Sequence, residues 1–118
     1  MRFMLMHYET EAMEAGEKPS PETQAAIGAY IGEVAMTGVL LAGEGVHPSS
    51  FGARLTLDGS GQVTVTDGPF AEAKELIGGF AILEVSSKEE AIEHAKRWAK
   101  VIGVTKLDVR RVVEAEDL

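Results

Sequence analysis

A chain of 118 residues with 45% hydrophobic side chains, no cysteine and a net charge of −8 reads as one soluble domain, because roughly two-thirds of its unfolded surface can leave water without disulfide or metal staples. Without cysteine, disulfides, thiolate zinc sites, iron–sulfur clusters and thiol catalysis drop out together. The balance of 19 Asp and Glu against 11 Lys and Arg argues against nucleic-acid backbones and anionic membrane surfaces, which are held by clustered cations. No apolar run approaches the roughly 18 residues needed to cross a bilayer. Met1 to Met6 meets His7 and Glu9 too soon for a signal peptide, so a cytoplasmic location is expected.

Arg2 to Tyr8 predicts a strand with Phe3, Leu5 and His7 on one face and Met4, Met6 and Tyr8 on the other. Both faces are mainly apolar, as in a central strand covered on both sides. The acidic stretch Glu9, Glu11, Glu14 and Glu17 then reads as a solvated loop of mutually repelling charges. Ser20-Pro21-Glu22 starts a helix with a serine cap, a proline at the first helical position and an acid at the positive end of the dipole. Ile27, Tyr30, Ile31, Val34 and Ala35 recur at helical spacing up to Gly38, giving a helix over Pro21 to Thr37. Val39 to Ala42 predicts a short second strand.

After a loop with Gly45, His47 and Pro48, the alternating segments 53–57 and 62–66 flank Asp58-Gly59-Ser60-Gly61. That is a hairpin signal, with Ala53, Leu55, Leu57, Val63 and Val65 directed inward. Gly78-Gly79 opens the apolar strand Phe80 to Val85, and Ser87-Lys88-Glu89-Glu90 matches a capping box. The helix behind it buries Ala91, Ile92, Ala95, Trp98, Ala99 and Ile102. Leu107 to Val113 ends the order as an edge or near-edge strand.

One domain over residues 1–118 with this order predicts an α+β, ferredoxin-like fold: an antiparallel sheet with two helices on one face and an inserted β-hairpin. The first strand and Phe80 to Val85 are then central. Two helices cover only one face, so a second copy is expected on the other, as a homodimer through the open sheet face.

Val65-Thr66-Asp67-Gly68-Pro69-Phe70-Ala71-Glu72-Ala73-Lys74-Glu75, followed by Gly78-Gly79-Phe80, resembles the signature of the DGPF-type branch of the YCII-related family, with Ala73 where threonine is usual. The similarity extends over nearly the whole chain, through Gly38-Val39-Leu40, Gly43-Glu44-Gly45, the hairpin and the helix beginning near Glu89. The resemblance implies a dimeric α/β-barrel and no defined reaction. It also implies a setting beside sigma-like transcription factors. Other branches of the family pair a histidine of helix one with an aspartate; Pro21 to Thr37 contains no histidine, so that pair is not carried over.

Asp67 continues the alternation of Val63 and Val65, and is either a cleft carboxylate for acid–base use or a turn residue accepting backbone amides. His7 is either its partner in proton transfer or a satisfied core or interface histidine. Arg54, Glu72, Lys74 and His47 are candidate substrate-binding groups. The corresponding bland readings are a solvated strand arginine, a surface ion pair worth about 0–1 kcal/mol and an exposed loop histidine. His94 lies off the apolar stripe and is expected in solvent. Histidines at 7, 47 and 94 lack metal-ligand spacing, and the glycine pairs do not follow a strand and open a helix, so neither a metal nor a nucleotide cofactor is expected. Two functions stay open: a small-molecule-binding protein or enzyme using a carboxylate/histidine cleft, and a non-catalytic regulatory or binding module working with a sigma-like factor.

Overall fold

The computed structural model describes residues 1–70 and 75–118. In chain order the elements are β1 (Arg2–Tyr8), α1 (Glu11–Glu14), α2 (Pro21–Met36), β2 (Leu40–Gly45), β3 (Ala53–Leu57), β4 (Val63–Asp67), β5 (Ile77–Glu84), α3 (Lys88–Ile102) and β6 (Leu107–Arg111). Single 3-10 turns lie at Ser49–Phe51 and Ala115–Asp117. The fold is α+β, and four strands form one antiparallel sheet in the order β2-β5-β1-β6. The two strands that are apolar on both faces, β1 and β5, therefore take the interior.

Alternation decides which side chains meet the helices. Phe3, Leu5 and His7 of β1 are buried, and Leu5 stands opposite Ala81 of β5 and Val109 of β6. Ala81, Leu83 and Val85 join Phe3 and Leu5 in a core closed by Ala91 and Ala95 of α3. Each large apolar side chain removed from water here contributes about 1.5–3 kcal/mol before entropy is counted. Met4, Met6, Tyr8, Phe80 and Ile82, on the other face, are only half-buried.

Local signals set the helix ends. Ser20 Oγ accepts from Thr23 N–H at 3.1 Å, with Pro21 beginning α2. Ser87 Oγ accepts from Glu90 N–H at 3.1 Å. The Glu90 carboxylate returns not to Ser87, as a capping box requires, but to Ser86 N–H at 2.9 Å and the Ser86 hydroxyl. No helix among the described residues is long and apolar enough to cross a membrane.

Three expectations are corrected. The acidic stretch is not all loop, because Thr10 Oγ1 accepts from Met13 N–H at 3.2 Å and starts the one-turn α1. The hairpin face expected inward is exposed: β3 and β4 pair only with each other, leaving Leu55 at 60%, Leu57 at 67% and Val65 at 61% exposure. His94 is partly buried, and its carbonyl accepts from the Tyr30 hydroxyl at 3.3 Å. The projecting hairpin is in keeping with a radius of gyration of 16.3 Å, against roughly 13–14 Å for a compact chain of this length.

Candidate functional site

Between the buried sheet face and the two long helices lies a cavity of about 860 Å³, a size that suits a small organic ligand. Its wall is apolar, with Leu5 and Leu83 from the sheet, Tyr30 and Val34 from α2, and Trp98 and Ile102 from α3. Trp98 stacks on Tyr30 with ring centroids 5.5 Å apart and meets His7 edge-on at 6.5 Å. The charged and imidazole groups on the wall are His7, Glu9, Glu17, Lys18, Glu44 and His47. A second cavity of about 460 Å³ shares Glu9, His47 and Phe51 with the first and adds Ser49 and Phe70.

His7 reaches the cavity because it is the last inward position of β1, and two glycines make room for it. A Cβ on Gly79 would stand 2.6 Å from His7 Cε1, and one on Gly78 would stand 3.0 Å from its Nε2. His7 is 8% exposed, and its Nδ1 is buried without a partner among the described residues. Burial holds the imidazole below its ordinary value, partly offset by a hydrogen bond to the Gly78 backbone. The ring is therefore neutral at pH 7, able to accept or relay a proton.

Glu9 lies one alternation step beyond His7, and its Cγ is 3.3 Å from the same empty position on Gly78. α1 turns Glu14 back towards it. Burial first, then the hydrogen bond and charge of Glu14, push the Glu9 carboxyl up to about 7. Glu14 moves the other way: the Ser49 hydroxyl and the Ser49 N–H, the latter at 2.7 Å, both donate to its carboxylate and hold it below the ordinary range. Glu9 Oε2 is buried and finds no donor among the described residues. A proton kept on Glu9 supplies the donor that two ionised carboxylates lack. The environment thus pushes two like groups apart, Glu9 towards the neutral acid and Glu14 towards the anion, an arrangement typical of acid–base sites.

The structure gathers only part of the set expected from sequence. His7 and His47 share the larger cavity, where His47 stacks on Phe51 with ring centroids 4.5 Å apart. Asp67 ends β4 opposite Ala53, exposed and lining neither cavity. Arg54 packs its guanidinium over the Phe70 ring at 4.3 Å, at the foot of the hairpin. Glu72 and Lys74 lie outside the described residues. Glu9, Glu14 and Ser49 were missed. The inward alternation Phe3, Leu5, His7 points on to Glu9, but the run of acids reads as solvated charge and hides it.

Among the described residues no group of three or more His, Asp or Glu has metal-holding geometry. Comparison with curated proteins finds no match. The family comparison does: the model of the YCII-related domain matches residues 1–114, and the chain belongs to that family.

Proposed function

We propose that this protein binds a small, largely apolar molecule in the cavity between sheet and helices and transfers a proton to or from it, with Glu9 as the acid and His7 as the base. The observation that carries this is the Glu9–Glu14 pair beside a buried, neutral His7, since general acids and bases work best with values near the working pH. Asp67 and Arg54, on opposite faces of the hairpin foot, and Glu72 and Lys74 farther along the chain serve this reading as candidate outer substrate contacts.

The test is a thermal-shift screen of small metabolites against the wild type, Glu9→Gln, His7→Asn and Asp67→Asn. Ligands that raise the wild-type melting temperature should lose the shift in Glu9→Gln and His7→Asn. Shifts lost only in Asp67→Asn move the site to the hairpin foot, and no shift with any compound removes the reading.

The assembly belongs to the same proposal. The DGPF-type signature and the strand order favour a ferredoxin-like domain paired as a dimeric α/β-barrel, with Met4, Met6, Phe80 and Ile82 covered by a second copy. A cytoplasmic setting is part of the same reading, and a chain without cysteine is compatible with a reducing compartment. A second reading, a non-catalytic module docked on a partner such as a sigma-like factor, is favoured by one observation, the exposed apolar face of the hairpin.

A further inference from the structure

We propose that Ser49 is a positioning residue, tying the Asp67-Gly68-Pro69-Phe70 turn to the Glu9–Glu14 pair so that Glu14 is the acceptor and the shared proton rests on Glu9. The inference rests on the acid–base reading above and names what enforces it.

Ser49 is buried, and its polar atoms are all engaged. Its N–H donates to Glu14 Oε1 at 2.7 Å and its hydroxyl donates to Glu14 Oε2. The hydroxyl oxygen accepts from Phe70 N–H at 2.8 Å, and the Ser49 carbonyl accepts from Gly52 N–H at 3.0 Å. A hydroxyl has one proton to give. With Phe70 N–H occupying the oxygen, that proton is directed to Glu14, and two donors on one carboxylate favour its ionised form. Glu9 receives no such donors among the described residues, so the proton stays there.

Gly68 is what lets the turn come this close. A Cβ at that position would stand 1.7 Å from the Ser49 carbonyl oxygen, and Gly68 N–H is anchored on the Gly52 carbonyl at 2.9 Å. The turn therefore acts on the site without lining the larger cavity: Gly68 admits the Ser49 backbone and Phe70 orients its hydroxyl. The other ionisable groups around the pair are His7 of β1, Glu17 and Lys18 after α1, Glu44 of β2, and His47. Among the described residues none of these donates a hydrogen bond to Glu14, so Ser49 supplies the half of the asymmetry that keeps Glu14 ionised, beside the burial of Glu9.

The test is a pH titration of the glutamate δ-carbons by NMR in the full chain. In the wild type the Glu14 carbon should titrate in acid and the Glu9 carbon near neutrality. Ser49→Ala and the near-isosteric, weaker donor Ser49→Cys should raise the Glu14 midpoint by about one pH unit and spread both steps over both carbons. Ser49→Thr, which keeps the hydroxyl, should restore the wild-type pattern. An unmoved Glu14 midpoint in folded Ser49→Ala or Ser49→Cys overturns the proposal. The wild type supplies a measurement that needs no variant: the Ser49 hydroxyl proton should exchange slowly while Glu14 is ionised, and fast exchange also overturns it. A Glu9 carbon that does not titrate near neutrality overturns the acid–base reading instead, so the two failures are read on different carbons.

Discussion

Glu9 and His7 give stability opposite dependences on pH. The folded value of Glu9, about 7, lies above its ordinary 4.5, so its contribution is whole below about pH 4.5 and is lost as pH rises through about 7. His7 is depressed by burial, so its contribution is present above its ordinary value and lost as pH falls through the folded one. Glu9→Gln mimics the protonated acid and should remove the alkaline loss. At pH 8 we expect it to exceed the wild type by about 1–2 kcal/mol, a figure discounted for partial solvent contact, and at pH 4.5 to match it, read from urea midpoints. Gly79→Ala tests the space made for His7. Its Cβ would meet His7 Cε1 at 2.6 Å and the Glu44 carbonyl at 2.8 Å, and the second neighbour is backbone, so a cost of about 1–3 kcal/mol is expected. Gly59→Ala, in open space, should stay within about 0.5 kcal/mol by the same denaturation measurement. Of these residues His7 was legible, because strand alternation fixes its direction. The Glu9–Glu14 pair was not, because it depends on where α1 and the Ser49 turn meet, and charge repulsion is the stronger local signal.

At the scale of elements, sequence served best where a local cause sets the boundary. Ser20 and Pro21 start α2, and Ser87 starts α3, at the expected residues. Ser87→Ala should cost about 1 kcal/mol, seen as a lower melting temperature, because Glu90 N–H loses its acceptor. The strand register of the hairpin was also readable, since Asp58 Oδ1 accepts from Ser60 N–H at 2.9 Å and Gln62 N–H at 3.0 Å and closes the turn. What alternation could not tell is which surface the apolar face meets. A two-residue period gives a strand two faces and says nothing about which neighbour covers either. Leu55→Thr and Val65→Thr should therefore change unfolding free energy by less than about 0.5 kcal/mol at high dilution, where the hairpin stands alone. A loss of dimer mass in the same variants at micromolar concentration would place the hairpin within the assembly contact.

The whole molecule is broad and thin, with extents of 46 × 43 × 20 Å, and among the described residues the outer sheet face and the hairpin both leave apolar side chains exposed or half-exposed. For the dimer proposed here, sedimentation equilibrium should return twice the chain mass at micromolar concentration, and a concentration-independent 12.6 kDa species would rule it out. With −8 on each chain, self-association should strengthen as salt screens the repulsion. One element of the site also makes the molecule its own instrument. Trp98 is the single tryptophan of the sequence, and it stands in the cavity wall with its indole edge-on to His7. Its emission is therefore reporter-grade for the cavity alone, without a label or a competing fluorophore of the same kind. Charging His7 on acidification should quench it, and a ligand entering the cavity should shift its wavelength before any chemistry is detected.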